Sequence, residues 1–143
     1  MTNSSSHTRE GDLQLEPLSK DPFKLIHINH FGPFQTTDDG YRHILVIVDS
    51  FTRFTWLFPT KSTNTKEVNL HLKRLFDIFW SPYEIVTDRG TAFTSAEFQS
   101  FVKDQSIKHR LVAVASPWAN GLVERVNRFI KSSLKKLLNV PAD

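Results

Sequence analysis

The run His43–Asp49 limits most narrowly what this chain can fold into, because it holds five consecutive aliphatic residues, four of them β-branched. Such a run is typical of a central strand buried on both faces of a sheet. Two further strand-like segments, Lys24–Asn29 and Phe54–Phe58, lie on either side of it and are separated from it by turn residues. Three early strands of this kind suit an antiparallel meander.

Helical and strand patterns alternate in the rest of the chain. A helix is predicted to open at Asn64, where Glu67 stands three residues later at the spacing of a capping box. A strand is expected next at Glu84–Thr87, followed by a helix that begins at Thr94 with Glu97 as its capping partner. A strand at Lys108–Ala115 and a helix from about Asn120 to Asn139 complete the chain. This order predicts an α/β fold with a five-stranded mixed sheet flanked by helices.

Length and composition exclude several classes of protein. The 143 residues suit a single domain, which we expect at residues 21–143 after a polar tail or linker at 1–20. The absence of cysteine excludes a disulfide scaffold and a cysteine-ligated metal site. No apolar run approaches the roughly 20 residues that a membrane span needs, and the polar N-terminus lacks the apolar core of a secretory signal. An intracellular protein without a membrane partner is therefore expected.

Positive charge is concentrated at the C-terminal end. Residues 108–143 carry 7 Lys and Arg against 2 Asp and Glu, whereas residues 1–107 carry 11 against 13. A basic segment on a nearly neutral body favours contact with a polyanion. The simpler interpretation is a solvated helix face, and charge alone favours it.

Two carboxylates stand where chemistry is plausible. Asp88 follows a buried strand and precedes Arg89-Gly90, so it would project at the edge of the sheet where α/β folds bind ligands; a plain turn Asp is the alternative. Glu124 leads Arg128, Lys131 and Lys135 along one face of the last helix. One acid ahead of a row of cations suits a metal-bound phosphodiester held on a basic track, or simply a solvated amphipathic helix.

Four segments together resemble the catalytic core of retroviral-type integrases, in particular those of Gypsy-type long-terminal-repeat retrotransposons. The segments are PFKLIHINHFGP at 22–33, ILVIVDSFTRFTW at 44–56, IVTDRGTAFTS at 85–95 and SPWANGLVERVNR at 116–128. They occur in the family's order, and 35 residues separate Asp88 from Glu124, the interval that names the family's D,D-35-E triad. The resemblance extends over about residues 20–139.

The resemblance implies an RNase H-like fold and metal-assisted phosphoryl transfer on DNA, in which 3′-end processing precedes strand transfer. Asp88 and Glu124 would be the second and third ligands of two Mg²⁺ or Mn²⁺ ions. The implied partners are element ends, target DNA and further copies of the core, in a homodimer or higher oligomer. The implied location is the nucleus, the cytoplasm or a retroelement particle. Candidate DNA contacts are Lys108, Arg110, Asn120, Arg125, Arg128, Lys131 and Lys135, with solvated charge as the alternative for the basic residues.

Asn29 is the main departure from the family pattern, whose first triad Asp stands in the context I-D-H-x-G-P. An amide offers one neutral oxygen, whereas a carboxylate offers charge that offsets the repulsion between two close cations. Asn29 would therefore be at most a weak metal ligand, and impaired catalysis is expected. Asp49 is interpreted as a structural strand-end residue and not as a substitute. Trp80, Trp118 and Leu122 are smaller departures, and Trp80 stands where the family usually has Gly.

Several alternatives stay open beside the impaired integrase. The Asn29 amide could still hold metal with Asp88 and Glu124 in an active enzyme. The chain could be a domesticated, non-enzymatic module that binds DNA or protein. An RNase H nuclease acting on RNA–DNA hybrids is disfavoured by the 35-residue interval. Asn29 itself fits two origins, a deliberate substitution or the natural decay of an element copy.

Overall fold

The structure is a computed structural model that describes residues 20–113 and, beyond them, positions 121, 124, 125, 128, 129, 131 and 132, all of which are helical. Contacts divide the chain into two compact units, of which one is Glu16–Val114. The elements of that unit are β1 (Leu25–Phe31), β2 (His43–Asp49), β3 (Thr55–Thr60), α1 (Thr65–Phe79), β4 (Glu84–Thr87), α2 (Thr91–Thr94), α3 (Ala96–Asp104) and β5 (Lys108–Leu111).

The five strands form one mixed sheet in the order β3-β2-β1-β4-β5. β2 is antiparallel to β1 and β3, whereas β4 is parallel to β1 and β5. Short connections allow the antiparallel pairs, and crossovers that contain a helix allow the parallel ones. The predicted five-stranded mixed sheet flanked by helices is confirmed.

Strand β2 is buried on both faces, as its aliphatic run predicts. Leu45 and Ile47 belong to the main core with the apolar faces of α1 and α3. Val46 and Val48 point to the opposite face because side chains alternate along a strand, and they are 1% and 2% exposed. A central strand of this kind anchors β1 beside it and so fixes the position of the residues at the end of β1.

The first helix begins as predicted. The Asn64 side chain accepts a hydrogen bond from the Glu67 amide at 3.1 Å, which satisfies one free N–H of the first turn. The Glu67 carboxylate in turn accepts from the amides of Lys61 and Ser62 at 2.8 and 3.0 Å. Val68 and Leu72 of α1 are fully buried in the core.

Several predicted boundaries were wrong. Thr94 ends α2, and the cap of α3 is Ser95, whose hydroxyl accepts from the Phe98 amide at 3.1 Å. The strand predicted to end at Phe58 runs to Thr60 and contains Pro59, which is possible because β3 is an edge strand with one unpaired side. β1 continues past Asn29 to Phe31, and β5 ends at Leu111 instead of Ala115.

The predicted last helix is described in part. Position 121 is helical, and Glu124, Arg125, Arg128 and Lys131 are helical and exposed. Most of the predicted tail lies outside the described residues, as do the apolar residues that recur at helical spacing in the last helix, Val123, Val126, Ile130, Leu134 and Leu137. Within the described part of the chain, no helix is both long and apolar enough to cross a membrane.

Candidate active site at the ends of two parallel strands

Asn29 and Asp88 meet at the carboxyl end of the parallel pair β1 and β4. The last registered pair of that ladder is Ile28 with Thr87, so the next residue of each chain segment is Asn29 and Asp88. Neighbouring strands lie about 4.8 Å apart. The fold therefore brings together two of the residues predicted for the site, although 58 residues separate them in the sequence.

The Asp88 carboxylate is exposed and is used only in part by its own turn. Its Oδ1 accepts a hydrogen bond from the Gly90 amide at 2.8 Å, as expected of an Asp that begins a turn. Its Oδ2 accepts no hydrogen bond from the residues that the structure describes. The turn role and a ligand role are thus compatible, because the turn fixes one oxygen and leaves the other available.

The Asn29 side chain is half-buried. Ile28 belongs to the main core, so alternation along β1 directs Asn29 to the opposite face of the sheet. Among the described residues, nothing forms a hydrogen bond with its amide. An amide that is held by no neighbour can turn either its oxygen or its nitrogen toward a ligand.

A small polar cleft of about 200 Å³ opens beside Asp88, lined by His30, Thr63, Asp88, Gly90, Thr91, Ala92 and Phe93. The His30 ring stacks on Phe93 with ring centroids 5.5 Å apart. Burial, helped by the charge of His43, lowers the pKa of His30 to about 4, against the opposing influence of Asp88 and Glu67. The imidazole is therefore neutral at pH 7 and places no positive charge beside the Asp88 carboxylate.

Asp49 is a structural residue, as predicted. It is 2% exposed. It pairs with Ile26 near the start of β1, whereas Asn29 lies toward the other end of that strand. Its Oδ1 accepts from the Phe23 amide at 2.8 Å, and its Oδ2 accepts from the Thr52 amide and hydroxyl at 3.0 and 2.6 Å. The bond from Phe23 joins the end of β2 to the segment that precedes β1, and the two bonds from Thr52 close the β2–β3 turn.

The sequence over residues 20–117 matches the family described as the integrase core domain. The chain belongs to this family. Among its curated relatives, the Pro-Pol polyprotein of feline foamy virus is 37% identical over 133 residues, which are 88% of this chain and 11% of the polyprotein. The Pro-Pol polyprotein of simian foamy virus type 3 is 41% identical over 117 residues, 82% of this chain and 10% of the relative. The integrase core thus spans about a tenth of the length of these relatives.

Solved structures agree with the assignment. The magnesium complex of the HTLV-2 integrase catalytic core domain in its dimeric form has a TM-score of 0.64 and 29% identity, with 84% of this chain and 78% of the other covered. The intasome of simian T-cell lymphotropic virus with the PP2A regulatory subunit B56 gamma has a TM-score of 0.65 and 29% identity, with 87% and 46% covered. With the mixed sheet described above, this likeness establishes the RNase H-like fold of the integrase core.

The predicted basic contacts of the integrase core differ in their surroundings. Lys108 is exposed on β5. The Arg110 guanidinium donates from Nε to the buried Glu84 carboxylate at 2.9 Å, so it neutralises a charge inside its own fold. Arg125, Arg128 and Lys131 are exposed helical residues. Asn120 and Lys135 lie outside the described residues. Among the residues described, no group of three or more His, Cys, Asp and Glu is arranged to hold a metal ion.

His109 was missed by the sequence analysis, which singled out Lys108 and Arg110 on either side of it. Alternation along β5 directs His109 to the face opposite these two residues, where its ring contacts Phe98 edge to face at 5.1 Å between centroids. Its nitrogens lie within hydrogen-bond distance of Thr87 and Gln99. The sequence did contain a signal for His109, because it alternates with Lys108 and Arg110 and so shares a face of the strand with the apolar residues Ile107 and Leu111.

Proposed function

We propose that this integrase core catalyses phosphoryl transfer on DNA, both 3′-end processing and strand transfer, and that Asn29 reduces its activity strongly. The observation that carries the proposal is the register between β1 and β4, which sets Asn29 beside Asp88 at the carboxyl edge of the sheet. Ligands of α/β folds bind at that edge. The membership in the integrase core family supplies the class of reaction.

The oxygen donors at this edge suit a hard divalent cation, Mg²⁺ or Mn²⁺. Asp88 would supply a charged oxygen, Asn29 a neutral one, and Glu124 would be the third ligand by its spacing in the family motif. When bound, such a cation polarises a phosphoryl oxygen and makes a bound oxygen nucleophile more reactive. The Gly90 amide would hold the Asp88 carboxylate in orientation, since it donates to Oδ1 at 2.8 Å.

The missing charge explains the expected loss of activity. Two divalent cations bound at one site would repel each other strongly, and the negative charge of their ligands would offset that repulsion. Three carboxylates would offset the four positive charges with three negative ones, whereas Asn29, Asp88 and Glu124 provide two. Neutral His30 contributes no further positive charge to this balance.

The proposed partners are DNA and further copies of the core. Arg125, Arg128 and Lys131 are exposed helical residues, and cations so close in the sequence can contact successive phosphates. Self-association is supported by neighbours that were solved in dimeric and trimeric forms, and a nucleic-acid partner by the similarity to an intasome.

A non-enzymatic module that binds DNA or protein is the second candidate. It is favoured by the same charge deficit, because Asn29 weakens metal binding without affecting the exposed basic residues. On this alternative, Glu124→Gln would leave DNA binding and any biological role unchanged.

The deciding experiment is a disintegration assay on branched DNA in Mg²⁺ and in Mn²⁺. The chain is compared with Asn29→Asp, and Asp88→Asn in the Asn29→Asp background serves as the blank. We expect Asn29→Asp to be active and the unmodified chain to be at least roughly 100-fold slower, a factor equivalent to about 2.7 kcal/mol in the barrier. Equal rates would contradict the role of the missing charge. Inactivity of both, with DNA binding retained, would favour the binding module.

A further inference from the structure

The ring of His109 lies between two polar side chains from different elements. Its Nδ1 is 3.1 Å from Nε2 of Gln99 on α3, and its Nε2 is 2.8 Å from the hydroxyl of Thr87 at the end of β4. The Thr87 hydroxyl also donates to the backbone carbonyl of Asp88 at 2.8 Å. A continuous chain of hydrogen bonds therefore runs from α3 to the backbone of Asp88.

The direction of every bond in this chain is fixed by one acceptor. The Gln99 amide nitrogen contacts the Phe93 carbonyl at 2.8 Å, and a carbonyl can only accept. The group in contact must therefore be the NH₂, whose second hydrogen points to Nδ1 of His109. Nδ1 then carries no proton, so Nε2–H donates to the Thr87 hydroxyl, and the hydroxyl proton is left for the Asp88 carbonyl.

We infer that His109 is a positioning residue for Asp88 and acts through this chain of hydrogen bonds, which we name the Gln99–His109–Thr87 relay. The relay holds the carbonyl of Asp88, and so orients the peptide plane from which the turn to Gly90 starts. Thr87 is 1% exposed and His109 is half-buried, so the central bond is shielded from water at the Thr87 end. The inference deepens the proposed function and rests on it, because it takes Asp88 as a metal ligand.

Residues that orient a metal ligand typically change metal affinity 10–100-fold when they are altered. His109 also contacts Phe98, so the alternative is a role in packing alone. Such a role would depend on the shape of the side chains and not on their hydrogen bonds. Thr87 separates these two roles. Thr87→Val keeps the shape and removes the hydroxyl, and Thr87→Ser keeps the hydroxyl and removes a methyl group.

The first test measures Mn²⁺ affinity by calorimetry in the Asn29→Asp background. We expect Thr87→Val to weaken binding about tenfold or more, and Thr87→Ser to stay within about threefold of the parent. Equal affinities of the two variants would overturn the inference. If the Asn29→Asp parent binds no Mn²⁺, and so does not differ from the same chain with Asp88→Asn, the proposed function fails. The second test below then still decides whether the relay exists.

The second test needs neither metal nor activity. Nitrogen-15 NMR of the unmodified chain reports which imidazole nitrogen of His109 is protonated, and we expect the neutral Nε2–H form at pH 7. We also expect the Gly90 amide hydrogen to exchange with solvent about tenfold faster in the Thr87→Val variant of this chain than in its Thr87→Ser variant. A proton on Nδ1, or equal exchange in the two variants, would overturn the relay even where the metal binds.

Discussion

Ile28 of β1 and Thr87 of β4 are paired in the parallel ladder of the sheet, and this pair sets the residues that follow them, Asn29 and Asp88, side by side. Asp88 is the only carboxylate of this pair, and an Asp at position 29 would be its immediate neighbour. Two carboxylates at these positions would lower the stability of the protein without a cation, because like charges on neighbouring strands repel. A positive ion between them would reverse this effect.

Asn29→Asp should destabilise the protein when no divalent cation is present and stabilise it when one is added. The repulsion between neighbouring carboxylates should lower the free energy of unfolding by about 0.5–1 kcal/mol. A cation at 100 times its dissociation constant should then add about 2.7 kcal/mol. Thermal unfolding with EDTA and with Mg²⁺ measures both effects. The double variant Asn29→Asp/Asp88→Asn has the net charge of the parent chain, and a similar response in that control would contradict the placement.

Asp49→Asn should lower the free energy of unfolding by about 2–3 kcal/mol, because a buried carboxylate that accepts three hydrogen bonds loses its charge and gains an amide that must face a donor. Urea denaturation measures the change. Asp88→Asn is the matched control, since it alters an exposed Asp that directly follows β4 and should change stability by no more than about 0.5 kcal/mol. Similar losses for the two variants would argue against a structural role of Asp49.

Local patterns predicted the sheet well because they act within one element. The aliphatic run His43–Asp49 is the length of a strand, apolar on both faces and bounded by turns, so its strand and its burial follow directly. The cap of α3 was misplaced by one residue because Thr94 and Ser95 are both good capping residues. In the structure the Ser95 hydroxyl accepts from the Phe98 amide, whereas the Thr94 hydroxyl donates to the Gly90 carbonyl at the start of α2.

Asp88 was predictable from its position after a buried strand, whereas Asn29 was predictable as a site residue only from the family pattern. The proximity of Asn29 and Asp88 follows from a parallel register between distant strands, and no spacing in the sequence encodes that register. The Gln99–His109–Thr87 relay depends in the same way on the pairing of Ile85 with His109 across β4 and β5. Contacts of this kind are set when the strands pair, so a single sequence gives no sign of them.

Trp80→Gly should be more stable than Trp80→Ala by about 1–2 kcal/mol. Trp80 follows α1 with φ 104° and ψ 162°, a region that is essentially restricted to glycine and that costs other residues about 1–3 kcal/mol. Both substitutions remove the edge-to-face contact of Trp80 with Phe23, so the difference between them reports the backbone alone. Chemical denaturation of the two variants measures it, and equal stability would show that the chain relaxes at this position. The same conformation explains why the family usually has Gly here.

The stability should fall as the pH is lowered from about 6.5 to about 4. Burial, with smaller contributions from Arg110 and Arg53, lowers the pKa of His27 to about 4, and burial likewise lowers the pKa of His30 to about 4. The unfolded chain takes up protons below its ordinary histidine pKa of about 6.5, whereas the folded chain does not, so protonation favours unfolding in this interval. Each shift corresponds to roughly 3 kcal/mol.

Urea denaturation at a series of pH values measures this loss. His27→Gln should reduce the steepness of the decline, because it removes one of the two histidines whose pKa is lowered to about 4 in the folded chain. An unchanged slope in that variant would contradict the burial of a neutral His27.

Arg110→Ala should destabilise the fold by about 1–3 kcal/mol, whereas Lys108→Ala should change its stability by less than about 0.5 kcal/mol. The Arg110 guanidinium is bound to the Glu84 carboxylate, which is 5% exposed, so the substitution leaves a buried charge without its partner. Lys108 lies on the same strand with its side chain in solvent. DNA binding by Arg110 variants should therefore be compared at a temperature where both proteins are folded. A stability loss of equal size in the two variants would mean that the ion pair contributes little, and would leave Arg110 available to phosphate.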